Sequence, residues 1–151
     1  MSTPLPAALE RIAEVLSSTR PPGDRATLGY RLVEHGAGND PEDEDEGELE
    51  DRDFAFGLPS PIDLDSTSGI EARVRSYDVP VVLLLATADV GSLRRAQLTA
   101  EHMAAWERSI VSVATWPQGV HEVVWSEPEP RITDLGDTHI VCRLVVTVWE
   151  T

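Results

Sequence analysis

The chain has 151 residues, 41 % of them hydrophobic and 26 % charged, which suits one ordinary domain with its own core and excludes a disordered chain. A net charge of −15 from 27 acids and 12 bases excludes nucleic-acid binding through a basic surface, because phosphate neutralisation needs clustered Lys or Arg and Arg73/Arg75 and Arg94/Arg95 are only pairs. The apolar run from Val79 to Ala86 is too short to span a membrane, and a single cysteine, Cys142, excludes an intramolecular disulfide and a Cys-based zinc cage.

Charge is uneven along the chain. Asp40 to Asp53 holds ten acids and one base, Arg52, a net of −9, so the remaining residues carry −6. All 12 bases are Arg. A GC-rich genome explains this, and so does life in high salt, where Asp and Glu replace Lys. Acidity then serves solubility and does not by itself point to a basic partner.

Leu5, Leu9, Ile12, Val15 and Leu16 recur at helical spacing and predict an amphipathic helix from Pro4 to Ser17. Thr3 is placed to cap it, and Glu10, Arg11 and Glu14 make the segment unlike a secretory h-region. Pro21-Pro22-Gly23 stops it. Alternation of Leu28, Tyr30 and Leu32 predicts a strand from Thr27 to Glu34. Residues 36–53 read as a mobile, low-complexity acidic loop, and Phe54 to Leu58 restart an alternating pattern. Pro59 to Gly69 is rich in turn residues.

Ile70 to Tyr77 reads as a strand that breaks or bulges at Asp78-Val79-Pro80, and Val81 to Ala86 as a strand covered on both faces. Ala96, Thr99, Met103, Trp106, Ile110 and Val113 define a long helix, Ser92 to Ala114, capped by Ser92 and stopped at Trp116-Pro117. Val120 to Trp125 is a strand, Glu127 to Pro130 a stiff connector, and Asp134 to Asp137 a turn. Thr138 to Glu150 is a final strand with Ile140, Cys142, Leu144, Val146 and Val148 on one face and Val141, Arg143, Val145, Thr147 and Trp149 on the other. Both faces are largely apolar, so both should be covered. The element order predicts one α+β domain over 1–151, a mainly antiparallel sheet with two helices packed on one face.

Residues that carry chemistry are scarce. An EF-hand frame with Gly47 at position 6 puts Glu42, Glu44 and Glu46 at 1, 3 and 5 and Asp53 at 12, the wrong side-chain length everywhere. His35, His102, His121 and His139 show no metal-ligand spacing and read as ordinary surface or edge-strand histidines. Cys142 alternates with core residues and reads as a small buried hydrophobe. No nucleophile elbow or phosphate-binding glycine loop is present. Four tryptophans are many for this length. Trp106 belongs to the core stripe, whereas Trp149, at a strand end, also suits a subunit interface.

A short amphipathic helix (Leu5 to Leu16), the strand Tyr77 to Ala86, the long helix Ser92 to Ala114 closed by Trp116-Pro117, and the terminal strand Ile140 to Trp149 occur in this order. In this order of elements the chain resembles the tail terminator proteins of long-tailed phages and tailed archaeal viruses. The acidic stretch Asp40 to Asp53 departs from the pattern. The resemblance implies a structural protein at the virion's tail neck, assembled in the host cytoplasm, with no enzymatic activity, no cofactor and no membrane. It would form a homo-hexameric ring on the tail tube protein, stop tube growth and meet a head–tail connector or stopper protein. Genomic DNA would pass through without specific binding. The expected subunit or tube interface is Arg143, Val145, Thr147 and Trp149. The acidic residues Glu42, Asp43, Glu44, Asp45, Glu46, Glu48 and Glu50 would either face the lumen, where they repel phosphate, or form a flap outside. The residues also suit another neck or tail-tube ring protein, or a small acidic intracellular adaptor.

Overall fold

The structure is a computed structural model and describes residues 4–22, 29–34, 49–62 and 74–149. Two helices and seven strands are seen among these residues. The predicted helical spacing places α1 at Pro4–Ser18, with Ala8, Ile12 and Leu16 buried and Leu5, Leu9 and Val15 packed against the same core. α2 spans Ser92–Val111 and buries Thr99, His102, Trp106 and Ile110. Its N-cap is Gly91, which makes no side-chain capping bond, so Ser92 is the first helical residue and not the predicted cap. The Thr19 hydroxyl lies 2.8 Å from both the Val15 carbonyl and Ser109 Oγ, tying the end of α1 to α2.

Two twelve-residue strands, β4 (Val74–Leu85) and β7 (Thr138–Trp149), pair antiparallel without interruption from Val74↔Trp149 to Leu85↔Thr138. On the free side of β4 run β2 (Asp53–Phe56) and β3 (Ser60–Pro61); on the free side of β7 run β5 (Val120–Trp125) and β6 (Glu129–Ile132). β1 (Arg31–Leu32) pairs with β2, the one parallel pairing among the described strands. The fold is α+β with a mostly antiparallel sheet, and both helices share one core with Val79, Val81, Leu83, Ile140, Leu144 and Val146.

Five expectations need correction. β4 does not break at Pro80. Its carbonyl accepts from Gly57 N at 2.9 Å, so the hydrogen-bonding side of Pro80 faces the kink between β2 and β3. The missing N–H therefore costs the β4–β7 ladder nothing. Ser60–Pro61, read as turn, and Glu129–Ile132, whose first residues were read as connector, are short strands; proline is tolerated there because both flank the sheet's rim. The strand expected over Thr27 to Glu34 is confined to Arg31–Leu32 among described residues. The long helix ends at Val111, three residues early. The predicted turn before β7 is present, with Gly136 at φ +88°, and a Cβ there would lie 3.3 Å from the Ala88 backbone.

Trp106 is fully buried, as its stripe predicts, and meets Tyr30 and Phe54 edge-on at centroid distances of 5.3 Å each. Cys142 is buried, and burial pushes its thiol pKa up. Trp116 and Trp125 pack half-buried against the core.

Candidate assembly interface

Alternation along β7 sends Ile140, Cys142, Leu144, Val146 and Val148 toward the helices. Arg143, Val145, Thr147 and Trp149 therefore share the opposite face. Register places them beside β4 residues of the same face, Pro80, Asp78, Ser76 and Val74. Arg143 donates from Nη1 to Asp78 Oδ2 at 2.8 Å, and both side chains are about one-third exposed. Ser76 and Thr147 stand directly opposite each other with their hydroxyls 2.8 Å apart, both buried.

Val82 and Val141 are buried on this face, and its exposed apolar part lies toward the β5 side. Trp149 is 48 % exposed and Val124, opposite Val145, is 44 % exposed. The exposed His121 ring meets Trp149 edge-on at 5.3 Å. Trp149, on a strand paired along its full length, and His121 and Val124, on the edge strand β5, thus offer a surface that a protein partner could cover. The four predicted interface residues do fall on one face. Thr147 is only 6 % exposed, so it supports the surface from within, and Val124 and His121 take its place at the front. Alternation with Val123 and Trp125 could have found Val124; His121 shares their parity and sits at the bulge between Val120 and Glu122, which no local pattern announces.

The acidic segment divides in two. Glu42, Asp43, Glu44, Asp45, Glu46 and Glu48 lie outside the described residues. The end of the expected loop is built into the sheet. Asp53, 2 % exposed, accepts both Arg31 Nε at 2.9 Å and Arg31 Nη2 at 2.8 Å, and also Glu50 N at 2.8 Å. Asp51 Oδ1 accepts from Ala86 N at 2.9 Å. Glu50 itself is exposed, 3.8 Å from Arg31 Nη2. Carboxylates in this segment therefore hold β1 and β2 to the end of β4, a job that composition alone cannot distinguish from solvation.

Two histidines correct the surface expectation. His139 is buried in β7. His102 is buried on α2, where its Nδ1 lies 2.6 Å from Tyr30 Oη. Burial first, and then the charge of Arg52, push the His102 pKa down to about 4, and burial pushes that of Tyr30 up. His121 is exposed on β5 as expected, and His35 lies outside the described residues. Among the described residues no three His, Cys, Asp or Glu side chains gather as a metal site. The same residues contain no helix long and apolar enough to cross a membrane.

No protein-family model matches the chain, and no curated protein matches it. Among solved structures, it is similar to a chain of the virion of a native gene transfer agent particle. That match has a TM-score of 0.52 and 11 % sequence identity, covering 92 % of this chain and 84 % of the other. At that identity the likeness is one of fold.

Proposed function

We propose that the chain is a structural component of a phage-like particle and, within it, the ring-forming tail terminator. The observation that carries this reading is the surface around Trp149, Val124 and His121, set on the face of the sheet opposite the helices. Large aromatics half-exposed on a rigid strand favour protein–protein contact over catalysis. The fold it shares with a gene transfer agent virion chain supports the same direction. A growing tube exposes strand edges and loops that template the next ring. A terminator must match that surface on one side and offer a different one on the other, which a domain with two unlike sheet faces can do.

In such a ring, Glu42 to Glu48 facing the channel would hold a cation cloud and let DNA slide. The test is negative-stain electron microscopy of the purified protein at molar and at low salt, with and without tail tubes. Rings with a central channel, or density capping tube ends, are expected. A particle that stays monomeric in both salts and leaves tube ends bare and growing would sink the reading in favour of an adaptor.

A further inference from the structure

A cavity of about 360 Å³ lies where β4 ends, between α2 and the turn that leads into β2. It is at the opposite end of the long ladder from Trp149, since Leu85 pairs with Thr138 and Val74 with Trp149. Arg94, Leu98 and His102 follow one another at four-residue spacing and so share one face of α2. Asp51 and Arg52 face them from the turn, and Val90 closes the side.

One polar atom at this cavity has no partner. His102 is 7 % exposed, and its one hydrogen bond among the described residues joins Nδ1 to Tyr30 Oη at 2.6 Å. That bond is also the one hydrogen bond of the Tyr30 hydroxyl among the described residues. A buried hydroxyl proton needs an acceptor, so Tyr30 donates and Nδ1 accepts. The neutral ring then carries its own proton on Nε2. With Nδ1 taken, this N–H donor is what His102 brings to the cavity it lines.

The surrounding charges select the acceptor. Arg52 is 7 % exposed, with its backbone held at φ +63°, and its charge acts on the His102 ring more strongly than that of Asp51 or Glu101. Its Nε lies 3.2 Å from Asp51 Oδ2. Arg94 Nη1 is 3.6 Å from Glu101 Oε1, with about half of each side chain in solvent. A pair that long and that wet is cheaply exchanged. Two arginines against the single aspartate leave the lining one positive charge in excess. A single negative charge balances it, whereas a phosphate dianion would exceed it and repel Asp51. Val90 and Leu98 supply an apolar wall for a few methylenes.

We propose that this cavity binds a carboxylate on a short aliphatic stem, which accepts from His102 Nε2 and pairs with Arg94. The site goes beyond the ring reading and does not depend on it.

The test follows the histidine ring nitrogens of the isotope-labelled full-length protein by NMR near neutral pH, with His102 identified by its loss in His102→Asn. The ring is expected as the Nε2–H tautomer. Butyrate and a blocked glutamate are titrated in, each beside its neutral amide, butyramide and blocked glutamine. The acids are expected to shift Nε2 saturably and to bind about tenfold tighter than their amides, the difference that a charge-assisted bond makes. Arg94→Gln, at an exposed position, should remove that preference for the acids. Tighter binding of butyrate assigns the site to a free small acid, and tighter binding of the blocked glutamate assigns it to an acidic side chain of a partner protein; both uphold the carboxylate site. An Nδ1–H tautomer, an Nε2 signal that neither acid moves, or amides that bind as well as the acids would overturn the inference and leave the ring reading standing. Arg94→Gln that keeps the parent's preference would overturn it as well, and the acid–amide comparison in the parent decides the matter even where that variant fails to fold.

Discussion

The two faces of the sheet are built from the same strands and end in different states. Toward the helices, Trp106, Phe54, Val79, Val81, Ile140 and Leu144 are sealed from water, and the polar guests Tyr30 and His102 satisfy each other at 2.6 Å. On the opposite face the central pairs are a hydroxyl pair, Ser76–Thr147, and an ion pair, Asp78–Arg143. Large apolar side chains appear there half-exposed at Trp149 and Val124. Val82 and Val141, paired on this same face, are buried, so the face is covered over that stretch, as the apolar pattern predicts, and open only around Trp149 and Val124. One face is committed wholly to folding; the other is buried over part of its length and carries polar pairs and half-exposed apolar side chains where it meets water.

The sharpest way to break this comparison is to truncate one tryptophan on each face. Trp106→Ala should cost about 3–5 kcal/mol, because it empties a fully packed site, and urea unfolding reads that directly. Trp149→Ala should change the unfolding free energy by less than about 1 kcal/mol while weakening ring formation or tube capping. If both variants lose several kcal/mol, the second face is a core after all and the interface assignment fails.

The Tyr30–His102 pair gives an intermediate effect. Tyr30→Phe removes the hydroxyl and leaves a buried imidazole nitrogen without its partner, a loss of about 1–3 kcal/mol. A titration sharpens the point. The pKa of His102 in the fold, about 4, lies below the ordinary 6.5 because burial and Arg52 oppose its charge. The unfolded chain thus takes the proton first. Stability present above about pH 6.5 is lost as pH falls toward about 4. Asp51 and Glu101 pull the other way and limit the loss. The slope of unfolding free energy between neutral pH and the carboxylate range should flatten in His102→Asn. An unchanged slope would show that the imidazole is reached by water.

How much of this was legible depended on whether a signal was local. Ile12 and Leu16, or Trp106 and Ile110, lie within a turn or two of each other, so periodicity placed both helices to within a few residues. The last strand and its two faces followed from strict alternation. Pro80 misled, because whether proline breaks a strand depends on which side its missing N–H faces, and only the partner strand decides that. β3 and β6 were hidden for the same reason, being proline-bearing segments made strands by the long neighbours they flank. Tyr30 and His102 are 72 positions apart, and nothing in either neighbourhood announces the other. For the proposed interface, the alternation of β7 indicated the face but not that Thr147 is buried there, its hydroxyl 2.8 Å from that of Ser76.

The smallest effect tests whether the second face is wet. Asp78 and Arg143 meet at 2.8 Å with about a third of each side chain in solvent. Solvent screens a pair of this kind, so a double-mutant cycle with Asp78→Asn and Arg143→Met should return a coupling of about 0.2–1 kcal/mol, falling as salt rises. A cycle is needed because either single change also alters what the remaining side chain does alone. A coupling of several kcal/mol, insensitive to salt, would place the pair in a dry environment. The face that carries Arg143 and Val145 would then be closed in the isolated chain, and partner contact would shrink to the rim at Trp149, His121 and Val124. A weak, salt-sensitive coupling leaves Arg143 free to exchange Asp78 for an acid on an incoming surface at little cost. That is the behaviour expected of a contact that must wait for its partner.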